Sequence, residues 1–145
     1  MITQILTPID GSENSNRALE LACDLANKYN AGLTILQVIP SLGAQAMVVG
    51  SAAVVVEPDL SELEANAKII IADAQDKARK TGVKSVNVAI EVGTPAKIIV
   101  AQANSLSADM IVMGSRGLSD FEGLLLGSVS HKVSHLAKCS CITVH

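Results

Sequence analysis

The sequence predicts an α/β fold in which helices cover both faces of one parallel β-sheet. Segments with the pattern of strands alternate with segments of helical spacing in the order βαβαβαβαβ. Apolar residues make up 49% of the 145-residue chain and aromatic residues only 1%, which predicts an aliphatic core typical of parallel sheets. We therefore expect one domain over residues 1–145, with a doubly wound, five-stranded sheet and right-handed crossovers.

The chain begins with a strand, a helix and a second strand. Residues 2–8 form the first apolar run, and Asp10 and Ser12 lie in a sequence typical of a turn that ends in a helix cap. Residues 13–29 place Ala and Leu side chains at helical spacing on one face. Residues 33–39 are nearly all apolar, which predicts a central strand of the sheet.

Residues 40–57 have no clear hydrophobic period, and we expect a loop without regular structure. Such a loop is usually a lid, a binding loop or a contact surface. The segment 31–56 contains no charged residue and is long enough to span a bilayer. Glycine, proline, serine and glutamine residues interrupt this segment, so a strand followed by a loop is favoured over a membrane span.

The middle of the chain continues the alternation of helix and strand. Residues 58–81 are rich in Ala, Glu and Lys and predict the longest helix, which ends at Gly82. Residues 86–92 alternate apolar and polar side chains, which is typical of a half-exposed strand at a sheet edge. Thr94 as the cap and proline as the first helical residue predict the next helix over 95–107.

A glycine-rich segment lies between a strand predicted over 109–113 and a helix predicted over 128–137. Gly114, Gly117 and Gly127 all fall between these two elements. Glycine lets a backbone approach an anion closely, and the N–H groups and dipole at the amino end of a helix attract negative charge. The pattern predicts a phosphate site, and a nucleotide is the expected ligand.

Charge and cysteine content limit the partners and the compartment. Fourteen acidic and eleven basic residues give a net charge of −3 without a basic cluster, which argues against nucleic acid as a partner. Cys23, Cys139 and Cys141 show no disulfide framework, and the amino terminus has no basic region leading into an apolar signal segment. We therefore expect a reduced, cytoplasmic protein in which Cys23 is a core residue and residues 141–144 form the last strand.

A zinc site near the end of the chain is possible by residue type but disfavoured by helix geometry. His131 and His135 lie one helical turn apart and close in sequence to two cysteines. Their helix face is opposite the apolar face formed by Val129, Val133 and Leu136. Solvent-facing histidines are therefore the favoured interpretation.

The candidate phosphate-binding residues also have simpler structural interpretations. Ser128 could act only as a helix cap, and Asp10 only as a turn residue. The glycines could act only as turn formers.

Three segments carry a resemblance to a known family, namely 5–12 (Ile-Leu-Thr-Pro-Ile-Asp-Gly-Ser), 92–95 (Val-Gly-Thr-Pro) and 109–117 (Asp-Met-Ile-Val-Met-Gly-Ser-Arg-Gly). With these segments the whole chain resembles the universal stress proteins of the nucleotide-binding branch. The ATP signature of that family, Gly-x2-Gly-x9-Gly-Ser/Thr, is complete here as Gly114, Gly117, Gly127 and Ser128.

The resemblance implies a Rossmann-like sandwich of the adenine nucleotide alpha-hydrolase-like type, with strand order 3-2-1-4-5 and ATP at the switch point of the sheet. It implies that ribose and phosphates contact the glycine loop and the following helix, at Gly114, Ser115, Arg116, Gly117, Gly127, Ser128, Val129 and Ser130. Asp10 would contact the ribose or a phosphate-bound Mg²⁺. Pro8, Ile9 and Val38 would line the adenine side.

The resemblance also implies a homodimer, because members of this family commonly dimerise through the last strand. Ser140 departs from the proline that relatives usually have before that strand. We expect an ATP-binding stress-response protein whose nucleotide state changes the surface offered to a second subunit or to another partner.

Other functions remain open from the sequence. The chain has no Gly-x4-Gly-Lys-Ser/Thr loop, and Arg116 is the one cation of the glycine loop, so we expect no catalytic residues and at most slow ATP hydrolysis. An alternative is a dimeric interaction module that binds no nucleotide and contacts an unidentified protein through residues 40–57. Phosphate acceptance by Asp10 is disfavoured because no acidic pair lies beside it.

Overall fold

The computed structural model describes residues 1–41, 45–56, 59–118 and 126–145. The strands are β1 (Gln4–Ile9), β2 (Gly32–Pro40), β3 (Gln45–Val49), β4 (Ala52–Val56), β5 (Val86–Gly93), β6 (Met110–Gly114) and β7 (Ser140–Val144). The helices are α1 (Glu13–Tyr29), α2 (Leu60–Lys80), α3 (Pro95–Ser105) and α4 (Ser128–Leu136).

A five-stranded parallel sheet has the order β5-β2-β1-β6-β7. Counted along the chain within this sheet, the order is 3-2-1-4-5, so the predicted fold class and the predicted edge position of β5 are confirmed. The chain adds β2 and β5 on one side of β1, and β6 and β7 on the other. This reversal creates a crevice at the carboxyl ends of β1 and β6, which is where open α/β sheets hold ligands.

Two aliphatic cores lie on opposite faces of the sheet, one against α1 and α2 and the other against α3 and α4. Consecutive strand residues point to opposite faces, so Ile5 packs in the first core and Leu6 in the second. Ile35 and Leu36 divide in the same way on β2. All four side chains are fully buried, as expected for parallel strands covered on both faces.

Local sequence signals set the ends of the helices. The Ser12 hydroxyl accepts a hydrogen bond from the backbone N–H of Ser15 and caps α1, as predicted. Gly82 follows α2 with a φ of 89°, as expected for a glycine that ends a helix. Thr94 occupies the predicted cap position of α3, although its side chain makes no capping hydrogen bond.

Residues 45–56 form a β-hairpin, so the prediction of a loop without regular structure is wrong for this part of 40–57. Strands β3 and β4 pair antiparallel around Gly50 and Ser51, and Gly50 has a φ of 67°, which suits a two-residue turn. A Gly-Ser pair between short apolar runs is a hairpin signal that a search for hydrophobic period overlooks. Residues 42–44 and 57–58, including the predicted helix start, lie outside the described residues.

The uncharged segment 31–56 supplies β2 and this hairpin. Of the helices that the structure describes, none has the length and apolar character needed to cross a membrane. A protein partner at the hairpin remains a prediction.

The apolar face of α4 is shorter than the sequence predicts. Val133 is fully buried in the second core and Val129 packs against it, but Leu136 is 55% exposed. Helical period identifies the side of a helix that faces the core, but it does not show how far along the helix that contact extends. Leu136 is the last residue of α4, and its predicted core position is wrong.

The amino ends of β1 and β6 are joined by the carboxylate of Asp109. Its Oδ2 atom accepts hydrogen bonds from the Thr3 N–H at 2.7 Å, the Thr3 hydroxyl at 2.9 Å and the Gln4 N–H at 3.0 Å. These hydrogen bonds, led by the one from the Thr3 backbone, hold the pKa of Asp109 below its usual range. The ionised carboxylate therefore stabilises the folded state.

We predict that Asp109→Asn lowers the thermal midpoint by a few degrees at pH 7. Because the folded state lowers the pKa of Asp109, its contribution is complete above the unfolded value of about 4 and is lost as the pH falls through the folded value. The difference between variant and parent should therefore disappear on acidification in calorimetric scans. Asp24→Asn, at an exposed position of α1, is the control. A difference that stays constant down to about pH 2.5 would contradict this assignment.

Gly114 allows the end of β6 to lie directly against the first turn of α1. A Cβ atom at this position would be 3.0 Å from the backbone carbon of Asn14 and 3.0 Å from the backbone nitrogen of Ser15. Backbone atoms in a helix cannot move aside without shifting the helix, so a side chain at this position would force the strand and the helix apart. The first glycine of the motif thus has a structural requirement of its own.

We predict that Gly114→Ala destabilises the fold by about 1–3 kcal/mol, the usual cost of overpacking, in urea unfolding experiments. Gly32→Ala is a matched control, because its added Cβ would lie 2.6 Å from Oε1 of Gln4, the far end of a flexible side chain. This control should cost less than about 1 kcal/mol because Gln4 can turn away. An equal or larger loss for Gly32→Ala would show that contact with backbone is not the deciding factor.

Candidate functional site

A cavity of about 330 Å³ opens at the crevice beside β1, at the carboxyl end of the parallel sheet. Its size is at the lower end of the range for small-molecule sites. The end of β1, the end of β2, the loop after β6 and the start of α4 supply one part of its lining. Residues of α2 and α3, together with Ser15 of α1 and the end of β6, supply the rest. Segments distant in sequence thus meet at one concave site.

The cavity brings together all the sequence-predicted site residues except Ser115 and Gly127. The predicted residues that line it are Pro8, Ile9, Asp10, Val38, Gly114, Arg116, Gly117, Ser128, Val129 and Ser130. Their binding roles remain predictions, because proximity to a cavity does not identify a ligand.

Ser115 and Gly127 hold the two described ends of the glycine loop together. The carbonyl oxygen of Ser115 accepts hydrogen bonds from the Gly127 N–H at 2.6 Å and from the Ser130 hydroxyl at 2.7 Å. The Ser115 N–H donates to the carbonyl oxygen of Val144 at 2.7 Å, which joins the loop to β7. Both residues are buried, and in this structure they position the loop and the start of α4.

The carboxylate of Asp10 connects the start of α1 to the glycine loop. Its Oδ1 accepts a hydrogen bond from the Ser12 N–H at 2.9 Å, and its Oδ2 accepts one from the Leu118 N–H at 3.1 Å. Asp10 also lines the cavity. A carboxylate has additional lone pairs, so this group can also offer oxygen to a hard cation.

The described part of the chain contains no cluster of metal-ligating side chains. Within the described ranges, no group of three or more His, Cys, Asp and Glu residues could hold a metal ion. His131 and His135 are exposed on α4, as predicted, with stacked rings whose centroids are 6.4 Å apart. A Mg²⁺ ion at Asp10 would therefore need phosphate oxygens as further ligands, which is the usual arrangement for Mg²⁺ with nucleotides.

The amino end of α4 faces the cavity. Gly127, rather than Ser128, is the N-cap residue, and so the interpretation of Ser128 as a cap is wrong. The first helical hydrogen bond runs from the His131 N–H to the Gly127 carbonyl at 3.0 Å. The N–H groups of the first turn precede this bond and point out of the helix end, where they and the helix dipole favour an anion.

Charge in the cavity lining is limited to one basic and one acidic side chain. Among the described lining residues, Arg116 is the basic one and Asp10 the acidic one. The remainder is largely apolar and includes Pro8, Val38 and Val129. A largely apolar cavity whose lining also contains a cation and the amino end of a helix fits a flat ring that carries an anionic group.

Sequence reasoning missed the part of the lining that α2 contributes and one polar residue of β2. Leu63, Asn66 and Ile70 of α2 line the cavity, and so does Gln37. The α2 residues carry no local signal, because their position depends on how the helix packs against the sheet. Gln37 does carry one, since it is a polar residue within a strand that is otherwise apolar and buried.

The cysteines lie outside the cavity lining. Cys23 is a buried core residue of α1, as predicted, and burial raises the pKa of its thiol. Burial also raises the pKa of Cys139 and of Cys141. A raised pKa lowers the fraction of these side chains that is present as thiolate.

Comparison with known proteins identifies the family. A model of the universal stress protein family matches residues 1–145. The chain belongs to this family. It is 36% identical over 152 residues to the universal stress protein YxiE of Bacillus subtilis, with 99% of each chain covered.

Solved universal stress proteins share the fold. The universal stress protein UspA from Lactobacillus plantarum superposes with a TM-score of 0.83 at 28% identity, and the match covers 99% of this chain and 98% of that one. A universal stress protein solved in complex with cAMP matches with a TM-score of 0.75 at 28% identity, covering 99% and 97% of the two chains. An adenine nucleotide is thus bound by one relative of similar fold.

Proposed function

We propose that residues 1–145 form one cytoplasmic domain that binds ATP with Mg²⁺, and that the nucleotide state controls the surface offered to partners in a stress response. The observation that carries this proposal is the cavity at the switch point of the sheet, where the glycine loop, Asp10 and the start of α4 meet. The relative that binds cAMP supports an adenine nucleotide as the ligand class.

The apolar side of the cavity suits the base. Pro8, Ile9 and Val38 lie at the ends of two paired central strands, where the register aligns Ile9 with Gln37, the residue before Val38. A purine ring buried against these side chains would be removed from water without charged neighbours, which favours binding through the hydrophobic effect.

The part of the lining formed by the glycine loop and the start of α4 suits the phosphates. Arg116 supplies a positive charge, and the first turn of α4 supplies backbone N–H groups. Asp10 would hold Mg²⁺ together with phosphate oxygens, and the ion would neutralise phosphate charge there. Because the described lining contains no lysine and a single arginine, we expect hydrolysis of ATP to be slow or absent.

Hydrogen bonds link this cavity to a sheet edge. Asp10 accepts from the Leu118 N–H, and the same loop joins β7 through the Ser115 N–H and the Val144 carbonyl. A change in the partners of Asp10 would therefore change how firmly the loop is held. The loop borders β7, so the effect would reach the edge of the sheet, where a second protein could detect it.

We predict that Arg116→Ala weakens ATP binding about tenfold while adenosine binding changes by less than about twofold, as expected when one charge-assisted phosphate contact is lost. Adenosine, AMP, ADP and ATP would be titrated into nucleotide-free protein by calorimetry, with and without Mg²⁺. Arg79→Ala, in the last turn of α2 and outside the cavity lining, removes the same charge and should have little effect.

Two outcomes would contradict the proposal. If the parent protein binds none of these ligands, the cavity is not a nucleotide site. If Arg116→Ala weakens adenosine as much as ATP, Arg116 does not contact the phosphates and the proposed orientation of the nucleotide is wrong.

We also propose a homodimer through β7. This strand is at the edge of the sheet, and its residues Ile142 and Val144 are only partly buried. An edge strand has backbone donors and acceptors on one side without a neighbouring strand in the sheet, and pairing about a two-fold axis would satisfy them.

We predict that sedimentation velocity shows a dimer and that amide exchange in 140–144 slows as the protein concentration rises. The opposite edge strand, β5, is an internal control and should exchange at the same rate at all concentrations. A monomer throughout, or equal slowing at both edges, would argue against a dimer through β7.

A further inference from the structure

The side chain of Gln37 adds a neutral amide to a part of the cavity lining that is otherwise apolar. It lies in β2, where the parallel register aligns it with Ile9 on one side and Ile90 on the other. Its side chain is only 8% exposed, yet it contributes to the cavity lining. A polar residue at a central strand position of this kind is unusual, because burial removes its amide from water.

The amide of Gln37 is not satisfied within the described protein. Its Oε1 atom is buried and has no hydrogen-bond partner among the described residues. An unpaired buried acceptor costs folding free energy, since it loses its bonds to water and gains none in return. Buried polar groups in folded proteins nearly always have a partner, so a group of this kind at a cavity indicates a ligand.

The chemistry of the amide selects the kind of ligand group. A glutamine amide carries an acceptor and a donor side by side, and rotation about its last torsion directs either of them toward the cavity. It has no charge, so it favours a phosphate less strongly than a cation such as Arg116 does. Adenine carries the complementary pair, an exocyclic N–H donor next to a ring nitrogen acceptor.

The location of Gln37 agrees with this selection. Ile9, its partner in register, points to the same face of the sheet and lines the apolar part of the cavity where the base is proposed to bind. Arg116 belongs to the loop after β6, which forms a different part of the lining. The amide would therefore contact the base of a bound nucleotide rather than its phosphates.

We propose that Gln37 recognises the exocyclic amino group of adenine and gives the site its preference for adenine nucleotides. This inference rests on the proposed function, because it names the residue that selects the base. In the free protein Oε1 is unpaired, and in the complex the amide turns so that this acceptor receives a hydrogen bond from the amine.

The test compares two ligands that differ only in the exocyclic amine, ATP and purine riboside 5′-triphosphate. We expect the parent protein to prefer ATP about tenfold, the usual magnitude for one hydrogen bond to a buried group. Gln37→Met keeps the length of the side chain but removes the amide, and should bind both ligands equally within about twofold. Gln102→Met, on α3 outside the cavity lining, is the matched control and should keep the preference.

The outcomes separate this inference from the proposed function. If the parent binds neither triphosphate, both fail. If the parent binds ATP and the analogue equally, or if Gln37→Met retains the preference, the proposed function stands and the role of Gln37 is overturned. The same holds if Gln37→Met weakens both ligands by the same factor, because the side chain then only shapes the cavity.

The stability of the nucleotide-free protein gives a second measurement. Removal of an unpaired buried acceptor should leave the thermal midpoint of Gln37→Met unchanged or raise it by about 2–5 °C. A midpoint lowered by several degrees would show that the amide has a partner in the free protein, and the inference would be overturned.

Discussion

The close approach of β6 to the first turn of α1 is the constraint on which the rest of the site depends. Gly114 ends β6 directly against the backbone of Asn14 and Ser15, and this contact leaves no space for a side chain. It fixes the relative position of the first and fourth strand-to-helix connections of the main sheet. Asp10 follows β1 and Arg116 follows β6, so the same contact places the two charged residues of the cavity near each other. A motif glycine therefore acts through packing as well as through access for a ligand.

A second constraint closes the loop that begins there. The Ser115 carbonyl accepts from both Gly127 and Ser130, which brings the start of α4 back to the end of β6 across residues 119–125. These bonds are buried, and two of the residues that make them, Ser115 and Gly127, direct the amino end of α4 at the cavity without lining it. The family signature thus combines residues of different kinds: Gly114 for close packing, Gly127 for loop closure, and Gly117 and Ser128 for the cavity lining.

The sequence predicts the parallel sheet and most of the glycine-loop side of the site because both depend on local patterns. Residues such as Ile5 and Leu6 are apolar in succession, which is typical of a strand buried on both faces, and the glycines follow the end of a strand. The α2 side of the cavity could not be predicted, because Leu63 and Ile70 resemble any amphipathic helix residues until the helix is packed. Leu136 shows the same limit. It lies on the predicted apolar face of α4, but the contact between α4 and the core ends before this residue. The hairpin over 45–56 was missed for another reason: its signal is a Gly-Ser turn rather than a period.

Gln37 is a polar residue in a strand that is otherwise apolar and buried, and such departures from the expected pattern are typical of ligand-binding sites. An apolar residue at this central position of β2 would make the free protein more stable, because the amide oxygen is buried without a partner among the residues that the structure describes. Arg116 of the glycine loop would attract any phosphorylated ligand with little regard to its base. Selection among nucleotides then requires a neutral group at the apolar end, where a missing hydrogen bond is not replaced by water. In the proposed complex, the desolvation that penalises the unpaired amide of Gln37 in the free protein would strengthen its discrimination between bases.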